Sequence, residues 1–153
     1  MTYHLAQINV GHLRFPAEDP RNADFFDNLE RINAVAEDSA GFIWRLKNDS
    51  GNATAIHAYN DPAILVNQSV WDAIESLQLF VYRSEHVKFL RRRIEWFSDF
   101  ETPMLALWWV KAGHHPTAGE GRNMLDHLAA HGSAPTAFTF GQKISVTAVN
   151  CHL

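Results

Sequence analysis

Apolar residues recur along this chain in two rhythms, and the switches between them mark its elements. From Tyr3 to Val10 the period is two: Ala6, Ile8 and Val10 fall on one side, Leu5, Gln7 and Asn9 on the other, as in a strand. Pro16 and Asp19-Pro20 close the next loop, and Asp19 is placed to cap a helix with Pro20 at its first position. The rhythm then lengthens. Phe25, Leu29, Ile32 and Ala36 form one stripe at helical spacing, with Asp27, Glu30, Arg31 and Glu37 mostly on the wet side, and Gly41 supplies a stop. Phe42 to Lys47 returns to alternation, Phe42, Trp44 and Leu46 against Ile43 and Arg45. The turn formers from Asn48 to Asn52 follow, and Ala53 to Tyr59 is expected to extend the sheet briefly.

Ile64 to Val70 predicts a third strand, with Ser69 capping a helix that carries Trp71, Ile74, Leu77 and Val81. That helix breaks near Arg83-Ser84, and a second piece from Glu85 to Phe97 is expected to bury Val87, Leu90, Ile94 and Phe97. Met104 to Lys111 is the fourth strand. Thr117 and Glu120 have the capping-box form, with Glu120 reaching back to Thr117, and the helix they open runs to Gly132. Ala137 to Phe140 forms a short edge segment, and the tail is expected to cross onto a partner. The order βαββαβ with an extra C-terminal helix is the ferredoxin-like plan of the α+β class, an antiparallel sheet with helices on one face.

The strands add one feature to this plan. Their second faces mix bulky aliphatics (Leu5, Ile43, Leu65) with single polar groups (Gln7, Asn9, Arg45, Asn67, Ser69). A solvent face would be more uniformly polar. The pattern suits a covered, partly polar cavity, and a two-fold copy of the chain is the simplest cover.

Composition narrows the class. The 153 residues, 46% apolar, suit one folded domain over 1–153. A net charge of −4 argues against a nucleic-acid partner, and Arg91-Arg92-Arg93 faces several directions on a helix. A single cysteine, Cys151, excludes an intrachain disulfide or a cysteine-built metal site. With no signal-peptide pattern and no apolar run able to span a bilayer, the expected setting is the cytoplasm, away from membranes.

Seven segments in order carry a resemblance: Leu5-Ala6-Gln7-Ile8-Asn9, Gly41-Phe42-Ile43-Trp44-Arg45-Leu46, Phe80-Val81-Tyr82-Arg83-Ser84-Glu85-His86, Arg92-Arg93-Ile94-Glu95-Trp96-Phe97, Leu107-Trp108-Trp109-Val110, Ala112-Gly113-His114-His115-Pro116-Thr117 and Ala137-Phe138-Thr139-Phe140. Together they resemble the domain-of-unknown-function family numbered 3291, grouped with the dimeric α+β barrels beside antibiotic-biosynthesis-type monooxygenases. The resemblance implies a homodimer and a monooxygenase-like activity on a small molecule. It transfers no established reaction, because one fold hosts many chemistries.

Among residues able to carry chemistry, His86 stands first. It follows Tyr82 and Arg83 and shares a helical stripe with Phe89, Arg93 and Trp96. It suits a general acid or base, or a haem ligand; the plainer alternative is a local hydrogen bond at a helix start. Arg83 or Arg93 would orient an anionic group, and Tyr82 is a further catalytic candidate, its alternative being a core ring with the hydroxyl satisfied at the rim. Arg45, a lone guanidinium on an apolar strand, is either the counter-charge for an anionic substrate or half of a salt bridge to a helix carboxylate. Gln7, Asn9 and Asn67 would orient substrate, and Trp96 and Trp108 would wall the cavity. His114 offers a second base, or a partner for His86 or Glu120, with a structural loop role as its alternative. His127 and His131 are four apart but have no third ligand, so no metal site is expected. The cofactor is either none or haem, and a non-catalytic ligand-binding module remains the alternative to an enzyme.

Overall fold

The structure, a computed structural model, describes residues 2–47, 59, 61–98 and 102–146. At its centre, β1 (Tyr3–Leu13) pairs antiparallel with β3 (Ile64–Trp71), in register from Leu5 opposite Trp71 to His12 opposite Ile64. On the far side of β3 lies β2 (Phe42–Arg45); on the far side of β1 lies β5 (Leu105–Lys111). A two-residue strand, β4 (Phe97–Ser98), pairs with the end of β1. The order β2-β3-β1-β5 with every pair antiparallel is the ferredoxin-like arrangement that the sequence predicts. The helices are α1 (Ala23–Glu37), α2 (Ile74–Arg83), α3 (His86–Arg91), α4 (Arg93–Trp96) and α5 (Ala118–His131).

Strand alternation divides the interior into two cores. On one face Ala6, Ile8, Val10, Val66, Val70 and Trp108 pack with Leu125 and Leu128 of α5. On the other, Leu5, Trp71 and Leu107 pack with Ala36 of α1, Ile74 and Leu77 of α2, and Phe138, which bridges to Leu107. Helices therefore cover both faces rather than one. The mixed polar face lies beneath the chain's own α1 and α2, so a second copy is not needed to cover it. The tail's expected crossing onto a partner concerns residues that, beyond 146, lie outside the described ones.

Local starts and stops follow the sequence closely at some points and depart at others. Asp19 accepts from the Arg21 backbone N–H and opens a 3-10 turn, Pro20–Asn22, that leads into α1. The Arg21 side chain also bonds the Asp19 carboxylate and holds its pKa down at about 2. Gly41 takes φ +85°, with the Asp72 and Ser76 side chains where a Cβ would stand. β2 carries a bulge: Phe42 pairs with Trp71, yet Trp44 pairs with Val70. The extra residue breaks the expected alternation and puts Phe42 and Arg45 over the mixed face, with Trp44 on the other. Trp71 belongs to the strand and not to the following helix, and Ser69 lies inside β3 rather than capping α2, whose N-cap Ala73 makes no side-chain bond. Ile94, expected in the core, is 64% exposed, and Phe97 sits in β4. The expected extension at Ala53–Tyr59 lies outside the described residues except for Tyr59, which is in a bend.

α5 approaches the sheet so closely that one position admits no side chain. A Cβ on Gly121 would lie 2.0 Å from Gln68 Oε1 and 2.7 Å from Ile8 Cδ1. The Gln68 amide cannot swing aside freely, because its Nε2 donates to the carbonyls of Pro116 and Thr117. Gly121→Ala is expected to destabilise by about 1–3 kcal/mol despite alanine's better helix propensity. Chemical denaturation checks this: an unchanged or raised midpoint would contradict the close approach.

Candidate functional site

Between the mixed face of the sheet and helices α1 to α4 lies a cavity of about 690 Å³. Phe25, Leu29 and Ile32 of α1 line one wall; Leu77, Phe80 and Phe89 line another; Trp71 and Trp96, both fully buried, contribute aromatic surface. The stripe that makes α1 amphipathic therefore faces a space and not a dry core.

The floor is a row of polar side chains that two-residue alternation places on one face of β1 and β3. Gln7 Nε2 donates to Asn67 Oδ1 (2.8 Å) and to Ser69 Oγ (2.8 Å). Asn9 Nδ2 donates to Gln7 Oε1 at 3.1 Å and to Asn67 Oδ1 at 3.3 Å. Trp71 Nε1–H, which can only donate, reaches Ser69 Oγ at 2.9 Å. These contacts involve no formal charge, and only Gln7 and Ser69 of the row are buried, Asn9 being half-buried and Asn67 exposed, so the pairing falls where desolvation is greatest.

His86 comes to the same cavity through the end of a helix. The last carbonyls of α2 have no partners within the helix and must find donors beyond it. Ser84 O–H donates to the Phe80 carbonyl, and the backbone N–H of His86 donates to Ser84 Oγ (3.1 Å). His86 Nδ1 lies 3.1 Å from the Val81 carbonyl and must be protonated to bond it. In the neutral ring Nε2 is then the basic nitrogen. The imidazole lies 4.9 Å from the Phe80 ring, and burial lowers its pKa below 6.5, partly offset by the Val81 bond. His86 thus joins the local helix-start bond, its plainer alternative, to a cavity position.

The other sequence candidates divide. Gln7, Asn9, Asn67, Arg45, Tyr82 and Trp96 all line this cavity with His86. Arg45 is bonded to Glu37 of α1 at 2.6 Å, with its side chain 12% exposed, so the salt-bridge alternative holds and its charge already has an answer. Arg83 is exposed and does not line the cavity. Trp108 faces the α5 core, because it falls on the other side of β5. His114 is also elsewhere: exposed, it pairs with Glu120 at 2.7 Å. That pairing takes the Glu120 carboxylate expected to close the capping box, of which the Thr117 half is present (3.1 Å). His115 stacks on Trp44. Among the described residues no group of three potential metal ligands is gathered, although the His127 and His131 rings lie 4.6 Å apart.

Sequence reasoning puts Ser69 on the mixed face without making it a substrate-binding candidate, and it does not reach Trp71 or the asparagines Asn28 and Asn33 of α1 as cavity residues. For the first two the signal was present in β3 alternation, had the strand been carried on to Trp71. A Ser98–His12–Asp61 chain also escaped notice, with His12 Nε2 3.2 Å from Asp61 and Nδ1 3.4 Å from Ser98 Oγ. The Ser98 hydroxyl has the His12 carbonyl as an acceptor at 3.3 Å, so the chain ties β4 to β1 rather than freeing a nucleophile.

The sequence model of a known family matches residues 4–152. The chain belongs to the family described as a domain of unknown function (DUF3291). No curated protein matches this DUF3291 chain. Among solved structures it is similar to a conserved protein from Methanosarcina mazei Go1, 14% identical over 72% of this chain and 93% of that one, with a TM-score of 0.48. PA3566 from Pseudomonas aeruginosa is 13% identical over 74% and 98%, with a TM-score of 0.48. A monooxygenase from the gene ActVA-Orf6 of Streptomyces coelicolor, in complex with Nanaomycin D, is 11% identical over 74% and 91%, with a TM-score of 0.44. Likenesses this distant assign no chemistry to the DUF3291 chain. Among its described residues no helix is long and apolar enough to cross a membrane.

The lowered pKa of the half-buried His86 bears on stability. Its folded pKa lies below the unfolded value of 6.5, so the unfolded chain binds more protons between the two. Its contribution is complete above pH 6.5 and is lost as pH falls through the folded pKa. Histidine NMR titration is expected to place this ring below 6.5, and His86→Asn should flatten the acid side of the stability profile. A His86 titrating above 6.5 would contradict the burial.

Proposed function

We propose that this chain is a monooxygenase-like enzyme that takes a proton from an apolar, aromatic small molecule in the helix-covered cavity, with His86 as the base. The observation that carries the reading is the bond between His86 Nδ1 and the Val81 carbonyl, which leaves Nε2 as the basic nitrogen of a ring that lines the cavity. Supporting it are the aromatic walls and a floor of neutral hydrogen-bonding groups, a combination common in small-molecule sites.

In the reaction an activated methylene group loses a proton to His86. The carbanion gives its electrons to molecular oxygen and forms a C–O bond, and the peroxide takes the proton back. Loss of water then leaves a ketone. The balance is one methylene and one dioxygen consumed, one carbonyl and one water formed. The substrate supplies every electron, so no separate reductant enters. The family resemblance supports the oxygen-consuming half of this reading; the cavity supports the proton-abstracting half.

Haem fits the residues less well. His86 has the backbone-directed hydrogen bond that a ligating imidazole commonly carries. The two propionates of a haem would need cations, and of the two arginines that line the cavity, Arg45 is already bonded to Glu37, leaving Arg93 to serve both. The same Nε2 cannot be both iron ligand and base.

Anthrone, with its methylene between two aryl rings, is the probe for the test. One oxygen is expected to be consumed per anthraquinone formed, and His86→Ala should lower kcat by about 100-fold or more. The kcat/KM profile should show an acid limb below pH 6.5. Anthrone that binds without oxidation above the uncatalysed rate would favour a binding module, and a Soret band in the purified protein would make His86 a haem ligand.

We also propose that two copies associate, a reading supported by the family resemblance. Light scattering is expected to give twice the 17.3 kDa chain mass, and a monomer would overturn it.

A further inference from the structure

Ser69 has a hydroxyl whose oxygen accepts two hydrogen bonds from neighbouring side chains. A hydroxyl offers two lone pairs and one proton. Both lone pairs of Ser69 Oγ are taken, by Trp71 Nε1–H at 2.9 Å and Gln7 Nε2–H at 2.8 Å. Its proton has no acceptor among the described residues. The residue is 7% exposed and borders the cavity. A buried donor without an acceptor costs free energy, and the bonds around this one turn its proton away from the sheet.

We propose that Ser69 O–H donates to an oxygen of the substrate, and that the site therefore takes an aryl ketone or phenol in preference to an aromatic hydrocarbon. The proposal rests on the reading of this cavity as the substrate site and names its substrate class. The chemistry of the two sides agrees. When a base removes a proton from carbon conjugated with a carbonyl, negative charge moves onto the oxygen. A donor already polarised by two incoming N–H bonds binds that oxygen more strongly as the charge grows. Asn9, Gln7 and Ser69 form a run of hydrogen bonds with one direction, ending at the proton offered to the ligand.

The test is a binding measurement without oxygen, so that it does not depend on turnover. Quenching of tryptophan fluorescence is followed for anthrone and for 9,10-dihydroanthracene, which has the same ring skeleton with a methylene in place of the carbonyl. The native protein is expected to bind the ketone about tenfold more tightly or better, the equivalent of one charge-assisted hydrogen bond. Ser69→Ala should abolish that preference and leave hydrocarbon affinity within about threefold, whereas Ser69→Thr, which keeps the hydroxyl, should retain it. If Ser69→Ala does not fold, Ser69→Cys replaces it, and its weak S–H donor should lose most of the preference. A preference that survives loss of the hydroxyl overturns the proposal; it is the result expected if the amide run is reversed and Ser69 donates to Gln7 Oε1. Equal loss of affinity for both probes also overturns it, since that marks a packing role. A retained ketone preference in a protein that does not oxidise anthrone would leave the Ser69 proposal standing and remove the enzymatic reading.

Discussion

The two-residue alternation of β1 and β3 forces Gln7, Asn9, Asn67 and Ser69 onto one face of the sheet, beneath helices that present apolar stripes to it. Much of the architecture follows from that constraint. Uncharged polar groups in such a place have to be paired or kept near solvent, and the amides pair along the sheet. The helices over this face consequently enclose a space. On the opposite face the same strands present Ala6, Ile8, Val10, Val66 and Val70 with one buried amide, Gln68, which bonds the Pro116 and Thr117 carbonyls, and α5 comes down until Gly121 touches Ile8 and Gln68. One periodic pattern thus yields a close-packed side and a hollow side.

Two irregularities then aim side chains into the hollow. The β2 bulge turns Arg45 onto the same face as Phe42, and the guanidinium meets Glu37 from α1. The end of α2 at Arg83 leaves carbonyls that Ser84 and His86 occupy, which fixes the imidazole's position and its tautomer in one step. A continuous helix would have used those carbonyls itself. Here the break in the element creates the orientation of the chemical group.

What was legible in the sequence was whatever depended on a sustained period or a local cap. β1, the α1 stripe, the break near Ser84 and the sheet order all belong to that class, as do Asp19 and the Thr117 cap. Features set by three-dimensional contact were not. Alternation in β2 was read through a bulge that only its pairing with β3 reveals. Ser69 has the chemistry of a helix cap, and nothing local says that the strand runs on for two more residues. The mixed face is covered, but by the chain's own helices, which the sequence pattern does not distinguish from the expected second copy. His114 and Trp108 were grouped with His86 by residue type, and strand parity and the α5 connection separate them.

The committed state of Arg45 alters the electrostatic logic of the proposed reaction. A free guanidinium would draw a preformed anion from solution; a guanidinium bonded to Glu37 contributes little net charge to the cavity. The groups that remain on the floor are dipoles. Fixed dipoles attract free anions weakly, yet they stabilise charge that develops in place, because they need not reorganise when it appears. That arrangement matches a base such as His86, whose burial keeps it neutral and lowers its basicity. A weak base removes a proton from carbon only where the resulting anion is held well. On this reading the substrate enters uncharged, and the imidazole and the hydroxyl row act on one molecule at two ends.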